Sequence, residues 1–512
     1  MEEKEELYSS HIFMFPFRFD YNKHGFKHEF EFYRKNNINN RLNLEILNEM
    51  LINNQWIYEE FDIEASDEKH ILYSEFAYFY DYARESIYNR HNFSPQSIAN
   101  FYRKPILEGG TYTIEICKTK YREQKEYQLN ISGISLRIFS TGVGILSIEL
   151  DNYQYKEFQE ILDINEFGRR VYPGFVGVQG VQNVKDAFLA DKITIKDNTD
   201  EILVEEDFNN CTLGDIYVGK HIMALLGEDT FSQQKIKGDD KYYIQPSLDD
   251  RMFVLSWYGN DEMVTEFQND KTIYTSNSNW YKYVFVDAGL LTVQNEKMKE
   301  KLLCNATYDR WSAFGTFTGI SRYSFVVLTS SESSLEDDNA EFIIGHTKSM
   351  YFQMMTILLA IRTSILRFSD ELAPVATPEH IGKLKLLYEK YLSFYNRLYF
   401  KEITHQDQGI ELYDIALKQM KIPEHMEKLD GKFTKLHDFA NLQAEKRGAE
   451  RMNLFTKIVS VLAFPSLVIA FLEMDSIKGI EIVQNYGSIF TILSGVFGFY
   501  IADYFTKEED NE

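Results

Sequence analysis

Residues 453–505 read NLFTKIVSVLAFPSLVIAFLEMDSIKGIEIVQNYGSIFTILSGVFGFYIADYF, and two apolar runs lie in this stretch. Residues 458–472 are fifteen positions without a charge, and residues 482–502 are twenty-one. A helix needs about 20 apolar residues to cross the hydrocarbon core of a bilayer. The second run meets this length, and the first meets it if its helix begins before Lys457, whose long side chain can reach the interface. The sequence therefore predicts two transmembrane helices; a buried helical hairpin in a soluble core is the alternative.

Basic residues give the predicted hairpin an orientation. Four of them lie just before or at the start of the first run: Lys446, Arg447, Arg451 and Lys457. The connecting loop, residues 473–481, has only Lys478, and the acidic tail, residues 506–512, has only Lys507. Because basic residues stay on the cytoplasmic side, the loop is expected outside and the tail inside. We expect a multi-pass protein of the cell's inner (plasma) membrane, with the bulk of the chain cytoplasmic.

Composition agrees with a large cytoplasmic part. The chain has 512 residues, and its 78 acidic and 54 basic residues give a net charge of −24. An acidic chain is not expected to bind nucleic acid directly, since that requires a basic face. The N-terminus, MEEKEELYSS, has no apolar signal segment, and the three widely spaced cysteines suit a reducing compartment.

The fold class predicted for residues 1–337 is α+β, as a cytosolic sensor domain. Between residues 109 and 150 the segments TYTIEIC, KEYQLNI, SLRIFS and GILSIEL are separated by turn signals, which indicates an antiparallel meander. Further strands are expected at IFMFPFRF, RMFVLSWY, WYKYVFVD and YSFVVLTS. Helices are expected at KEFQEILDIN, at residues 220–226 and near residues 295–303.

Residues 338–452 are predicted to be a helical region that ends in a stalk. The uncharged run SMYFQMMTILLAI, residues 349–361, is too short for a span and indicates a buried core helix. The last helix is expected to begin near Pro423 and to continue without a break into the first span. Its apolar positions have the spacing of a coiled-coil seam: Met426, Leu429, Phe433, Leu436 and Ala440. This stripe packs either against other copies of the chain or against the chain's own helices.

The order of these parts resembles the CorA divalent-cation transporters: a cytosolic α+β domain, a long stalk helix, a short outer loop and a second span. The stretch ERMNLFTKIVSVLAFPSLVIAFLEMD is similar to the pore helix of that family, including a mid-span proline, Pro465. The family's Gly-Met-Asn signature is replaced here by Glu473, Met474 and Asp475, and its basic tail by KEEDNE. The resemblance implies a pentamer and leaves a divalent cation open as a cofactor, while the changed signature puts magnesium selection in doubt.

A second resemblance covers segments of the cytosolic part. TGVGILSIELDNYQYKEFQEILDINEFGRRVYPGF, DDRMFVLSWYGND, FGTFTGISRYSFV and HQDQGIELYDIALKQM resemble the CorA-like membrane effectors encoded beside type III CRISPR systems. This resemblance implies a channel that compromises the membrane when a nucleotide messenger binds. The messenger would be an S-adenosylmethionine–AMP conjugate (SAM-AMP) or a cyclic oligoadenylate. An ordinary magnesium or divalent-cation transporter, and a membrane-anchored sensor without conduction, are the alternatives.

Two groups of residues are candidates for messenger binding, because phosphates pair with arginine and adenine packs on aromatic rings. The first group is Arg169, Arg170 and Tyr172, and the second is Arg310, Trp311 and Arg322. Ordinary surface or ion-pair roles are the alternative for each arginine. Arg169 and Arg170 are expected at the surface, so replacing both by Ala should abolish messenger binding without disturbing the fold.

A polar stripe in the first span is the candidate pore lining. Asn453, Thr456 and Ser460 share one helix face, and Phe464 and Leu467 are expected to form a constriction closer to the outer side. No Walker loop, GxSxG or HExxH motif is present, so no catalytic residues are predicted. The eleven histidines show no ligand spacing, and any metal ligands stay unknown.

Overall fold

A computed structural model describes most of the chain. The described residues are 5–21, 42–63, 69–89, 92–117, 124–172, 189–208, 218–234, 239–270, 272–334, 337–375, 381–472, 489 and 491–500.

The described strands form one mixed sheet of fourteen strands. They are β1 (Ser9–Tyr21), β2 (Ile57–Tyr58), β3 (Ala99–Arg103), β4 (Thr111–Cys117), β5 (Gln124–Phe139), β6 (Val143–Asn152), β7 (Lys192–Lys196), β8 (Ile202–Asp207), β9 (Phe231–Ser232), β10 (Tyr242–Pro246), β11 (Phe253–Gly259), β12 (Thr307–Tyr308), β13 (Phe317–Ile320) and β14 (Ser324–Thr329). The main path runs β12-β13-β14-β11-β1-β6-β5-β4-β7-β8, while β10 pairs with β1 and β3 with β5. The pairs β11–β14 and β9–β10 are parallel and the others antiparallel.

The described helices are interspersed with the strands along the chain as far as β14, and the elements after β14 are all helical. They are α1 (Leu44–Asn53), α2 (Lys69–Tyr78), α3 (Asp81–Arg84), α4 (Phe158–Gly168), α5 (Lys220–Leu226), α6 (Asp261–Asn269), α7 (Ser278–Phe285), α8 (Glu296–Ala306), α9 (Asp337–His346), α10 (Phe352–Leu372), α11 (Ile381–Arg397), α12 (Asp407–Gln419), α13 (Ile422–Leu472) and α14 (Thr491–Tyr500). A turn of π-helix, Thr347–Tyr351, connects α9 to α10.

Strand β1 is the centre of the sheet because its sequence, SSHIFMFPFRFDY, is apolar on both faces. It pairs with β6 along one side. On the other side it pairs with β11 as far as Met14 and with β10 from Phe17 onward. Pro16 lies between these two ladders, where the N–H that proline lacks is not needed for pairing.

Most expected elements are confirmed, and one strand is wrong. The meander of residues 109–150 is present as β4, β5 and β6. The segment WYKYVFVD, expected as a strand, lies largely in helix α7. The Asn277 side chain accepts a hydrogen bond from the Trp280 backbone N–H at 2.9 Å and so caps this helix. The aromatic composition favours a strand, but Trp280, Tyr283 and Val284 are buried at helical spacing.

The chain divides into two compact units. The first contains residues 1–374 and 386–429, and the second contains residues 375–385 and 430–512. The mixed sheet and helices α9, α10 and α12 belong to the first unit. The α+β class of the N-terminal part is therefore confirmed at the level of a large mixed sheet with helices.

Helix α13 is continuous over 51 residues, from Ile422 to Leu472, and begins beside Pro423 as expected. Met426 and Leu429, the first two positions of the apolar stripe, are 3 % and 1 % exposed in the single chain. At these positions the stripe therefore packs within its own chain and not against another copy. Farther along, Phe439 and Leu442 are exposed.

One helical stretch of the described residues, Phe342–Leu372, is long and apolar enough to cross a membrane, but 89 % of its most apolar window is buried inside the protein. This stretch contains the expected core helix of residues 349–361, and its burial confirms that expectation. Helix α14 is a shorter apolar helix. The outer loop lies outside the described residues, as do residues 482–488, 490, 501 and 502 of the second run, so the transmembrane hairpin stays a prediction.

Candidate anion-binding site

The expectation that Arg169 and Arg170 lie at the surface is wrong. They follow helix α4 and are only 3 % and 7 % exposed. Arg169 Nη2 donates to Glu166 Oε2 at 2.7 Å and to the Val286 carbonyl at 2.9 Å. Arg170 donates to Glu166 Oε1 at 2.5 Å and to the Asp250 carboxylate. The two guanidiniums are thus bound to the protein's own acceptors.

The pKa values of this buried network show how the charges balance. Burial lowers the pKa of Arg169, although the Glu166 carboxylate acts in the opposite direction. Burial also acts to lower the pKa of Arg170, but Glu166 and Asp250 together outweigh it and raise the pKa. Tyr172 is buried as well, and its burial, with Asp249 and Asp250 nearby, raises its pKa to about 12.

This network fixes the position of a neighbouring arginine, Arg251, which precedes β11. Arg170 and Arg251 form an isolated antiparallel bridge, and the Met252 N–H donates to the Arg169 carbonyl at 2.7 Å. The Arg251 side chain donates from Nε to Asp250 Oδ1 at 3.1 Å. Asp250 also accepts a hydrogen bond from Arg170. The buried network therefore holds both the backbone and the side chain of Arg251 in place.

Arg251, Arg322 and Arg362 converge on the ring of Tyr323. Their guanidinium carbons lie 5.5, 5.9 and 5.3 Å from the ring centroid. We name Arg251, Arg322, Tyr323 and Arg362 the Tyr323 arginine cluster. Three cations near one ring gain cation–π attraction, but they also repel one another.

Three elements bring the cluster together. Arg322 and Tyr323 form the turn between β13 and β14, which is closed by a hydrogen bond of 2.6 Å between the Ser321 and Ser324 hydroxyls. The Val254 N–H of β11 donates to the Tyr323 carbonyl at 3.0 Å. Arg362 comes from helix α10, and its Nη1 donates to the Arg322 carbonyl at 3.1 Å. The site is therefore built on a sheet and a buried helix, which fix its geometry.

Two of the three arginines have no acidic partner among the residues that the structure describes. Among the described residues, neither Arg322 nor Arg362 has a carboxylate oxygen within 4.0 Å, and the Nε of each is buried without a hydrogen-bond partner. Arg362 is 4 % exposed. Its pKa is lowered by burial and then by the positive charge of Arg322. A buried cation without a counter-charge, such as Arg362, is costly, so this cluster favours an anion.

His425, in the first turns of helix α13, is exposed to the positive charge of the cluster. Its pKa is lowered by burial and by the nearby charges of Arg322, Arg362 and Lys428. A bound anion would offset the two arginine charges and raise the pKa of His425 again. The cluster is thus electrostatically coupled to the start of the long helix.

Arg310 and Trp311 lie at a different place from Arg322. Arg310 Nη1 donates to Glu411 Oε1 at 2.7 Å, and Trp311 Nε1 donates to Gln408 Oε1 at 3.0 Å, both on helix α12. Arg310 thus has a carboxylate partner of its own. The candidate residues predicted as one group are therefore split, and only Arg322 belongs to the cluster.

The remaining predicted site residues are not tested. The backbones of Asn453, Thr456, Ser460, Phe464 and Leu467 belong to helix α13, but their side chains lie outside the described residues. Glu473, Met474 and Asp475 lie outside the described residues altogether. Within the described part of the chain, no group of three or more His, Cys, Asp or Glu residues could hold a metal ion.

The chemistry of the cluster suits an oxyanion with several acceptor oxygens, such as a phosphate, because guanidinium forks pair with phosphate in two-point contacts. Sequence reasoning found Arg322 but missed Arg251 and Arg362. One signal was available for Arg362: it directly follows the uncharged run of residues 349–361 and is an ionisable residue in a buried helix. Comparisons of this chain with family models, with curated proteins and with solved structures found no match.

Proposed function

We propose that this protein is an oligomeric membrane effector that is switched by a phosphate-bearing ligand at the Tyr323 arginine cluster. The single observation that carries the proposal is the charge of that cluster. Arg322 and Arg362 are held close to one ring without a carboxylate partner among the described residues. An anionic ligand supplies the missing counter-charge.

Helix α13 is the element through which the ligand would act. His425 lies in its first turns beside the cluster, and the same helix continues to Leu472, into the first apolar run. A ligand shifts an equilibrium only by binding one state better than the other, and a change from 1:99 to 99:1 takes about 5.5 kcal/mol. Two charge-assisted contacts of about 3 kcal/mol each, or three of about 2 kcal/mol each, supply this difference if they form in only one state.

The sequence resemblances give this switch its proposed setting. We propose a CorA-like homopentamer in the inner membrane, encoded as an effector of a type III CRISPR system. Its ligand would be SAM-AMP or a cyclic oligoadenylate, and its activation would open a pore that compromises the membrane. The support is the pattern of the quoted segments and the two uncharged C-terminal runs.

Binding of labelled SAM-AMP and of labelled cyclic oligoadenylates to the full chain in lipid nanodiscs tests the proposal. Arg362→Met and Arg322→Met should each weaken binding of the active messenger by about 10- to 100-fold, because each removes a charge-assisted contact. Arg310→Met is the matched comparison: Arg310 is bonded to Glu411, and its replacement should leave the affinity within about 2-fold.

Thermal unfolding of each variant separates binding from folding. Arg322→Met and Arg362→Met remove cations that lack an acidic partner, so their unfolding temperatures should not fall. Unchanged messenger affinity in folded Arg322→Met and Arg362→Met would remove the cluster from the ligand site. A loss confined to Arg310→Met would move the site to helix α12.

A further inference from the structure

A polar cavity lies in the first unit, apart from the residues described so far. Its volume is about 260 Å³. Its lining comes from strands β3, β5 and β6, from helix α2 and from the start of helix α10. We name it the Arg137 cavity, defined by Glu75, Phe101, Arg137, Glu149, Phe352 and Gln353. It shares none of its lining residues with the Tyr323 arginine cluster.

Arg137 is a buried cation without an acceptor in the described part of the chain. It is 6 % exposed, and its guanidinium carbon lies 4.6 Å from the ring centroid of Phe101 and 5.0 Å from that of Phe352. Within the described residues it has no carboxylate oxygen within 4.0 Å, and its Nη1 has no hydrogen-bond partner. The two rings hold the guanidinium in place, and its N–H groups are left for a ligand.

Two carboxylates of the same cavity lack a contacting cation within the described ranges of the chain. Glu75 accepts hydrogen bonds from the Tyr88 hydroxyl at 3.1 Å and from Gln353 Nε2 at 3.0 Å. Glu149 makes no hydrogen bond or ion pair among the described residues, and its carboxylate lies against Gly133, where a Cβ would be only 3.3 Å away. Burial raises the pKa of both groups. A cationic partner therefore stabilises the charged form of both carboxylates.

The other cations of the cavity are already occupied. Lys348 donates to both oxygens of Asp151, at 2.6 and 2.7 Å. Arg103 is bound to Glu59 at 3.4 Å and to Glu108 at 3.0 Å. Neither can neutralise Glu75 or Glu149 by direct contact without giving up these partners.

Three unpartnered polar atoms belong to residues that line this one cavity. They are Ser135 Oγ, Arg137 Nη1 and Gln353 Oε1, and each is buried without a hydrogen-bond partner among the residues described here. Such atoms are rare in folded proteins, and their concentration in one polar cavity indicates that something else satisfies them. The wall also includes Lys348 and Ser349 of the π-helical turn, an irregularity that is frequent at functional sites.

We propose that the Arg137 cavity binds a small zwitterion, a molecule of the amino-acid class. Its anionic oxygen accepts from Arg137, its ammonium group donates to Glu149 and Glu75, and its aliphatic part packs against Phe101 and Phe352. A ligand with one charge pairs either with Arg137 or with the two carboxylates, but not with both. Water alone could fill the volume, but water supplies no counter-charge to either side.

Three probes with a common carbon chain test this proposal: L-norleucine, n-pentylamine and hexanoate. Norleucine has both charged groups, whereas pentylamine lacks its carboxylate and hexanoate lacks its ammonium group. Calorimetric titration of the full chain in nanodiscs should show saturable binding of norleucine. Each single-charge analogue should bind at least about 10-fold more weakly, because it loses a charge-assisted contact.

Two variants assign the contacts. Glu149→Gln should weaken norleucine binding by at least about 10-fold and leave the affinity for hexanoate unchanged. Arg137→Met should also weaken norleucine binding by at least about 10-fold, but it should leave the affinity for pentylamine unchanged. Glu126→Gln is the matched control, since Glu126 is exposed on the same strand as Arg137, and its binding should equal that of the wild type.

Both variants are expected to fold, so a loss of binding is not a consequence of unfolding. Arg137→Met removes a buried charge without an acceptor, so its unfolding temperature should not fall, and Glu149→Gln keeps the shape of the side chain. Absence of saturable norleucine binding up to 10 mM (roughly the weakest affinity of interest) would overturn the proposal in favour of a water-filled cavity. Equal binding of norleucine to the wild type and both folded variants would also overturn it. Neither result depends on the messenger site.

Discussion

Arginine residues of this protein occupy two contrasting environments. Arg169 and Arg170 are buried but bonded to Glu166 and Asp250. Arg362 is equally buried and has no carboxylate within 4.0 Å among the described residues, with Arg322 as its neighbour. Removing a buried charge has opposite consequences in the two cases, because only the first leaves buried carboxylates without their cations. The same residue type thus stabilises the fold at one place and favours a ligand at the other.

Arg170→Ala should destabilise the protein by about 3–5 kcal/mol, because it leaves Glu166 and Asp250 with fewer partners in a buried site. This corrects the sequence-based expectation that the pair could be replaced without cost. Thermal unfolding followed by circular dichroism measures the effect, with Arg310→Ala as the exposed control. An unfolding temperature equal to that of the wild type would contradict the structural role of the network.

His11 predicts a loss of stability in mild acid. Its ring is fully buried, with Nε2 at 2.8 Å from Ser9 Oγ and Nδ1 at 2.8 Å from Asn165 Oδ1. Burial lowers its pKa from 6.5 to about 4, against smaller opposing effects of Asn165 and Asp151. The unfolded chain takes up a proton near pH 6.5, but the folded protein does so only near pH 4. The stabilisation is therefore complete above pH 6.5 and is lost as the pH falls towards 4, by about 3 kcal/mol.

Replacing His11 by Gln isolates this contribution. The variant should lose less stability than the wild type between pH 6.5 and pH 4, because Gln does not titrate. Urea unfolding at several pH values measures the difference. Parallel pH profiles of the two proteins would show that His11 does not control the acid sensitivity.

At the scale of elements, apolar patterning predicted the meander strands correctly but predicted a strand where the aromatic segment forms helix α7. β4, β5 and β6 follow from alternation and turn signals. WYKYVFVD is ambiguous, because a short run rich in aromatic residues suits a buried strand as well as a helix. Asn277, a good N-cap residue, was the local signal for the helix.

The candidate site was less predictable than the fold, because it unites distant parts of the chain. Arg251, Arg322 and Arg362 come from a strand entrance, a hairpin turn and a buried helix. No local pattern in the sequence states that these three meet at Tyr323. Arg310 and Arg322 look alike by composition, and only the carboxylate of Glu411 beside Arg310 distinguishes them.

Helix α13 contains an exposed glycine, Gly431, in its interior. A Cβ added there meets no atom within 4 Å. Gly431→Ala should therefore stabilise the helix by about 0.5–1 kcal/mol, because alanine loses less backbone entropy on folding. Thermal unfolding measures this change. A lower unfolding temperature would indicate that the chain at this position is not a continuous, unobstructed helix.

At the scale of the whole molecule, a positive site lies in a strongly acidic protein. The net charge of the chain is −24, yet Arg251, Arg322 and Arg362 meet at one ring. The acidic surroundings disfavour nonspecific polyanions, so the cluster would select a compact ligand that reaches it. In our proposal this ligand acts on α13, which begins beside the cluster and continues into the first apolar run.

Flux from liposomes tests this central claim most directly. The full chain is reconstituted into vesicles that contain a fluorescent dye or a radioactive cation, and release is measured with and without SAM-AMP or a cyclic oligoadenylate. Our account predicts messenger-dependent release by the wild type and by Arg310→Met, and its loss in Arg362→Met at the same messenger concentration. Release that is independent of every messenger, or equal in wild type and folded Arg362→Met, would contradict it.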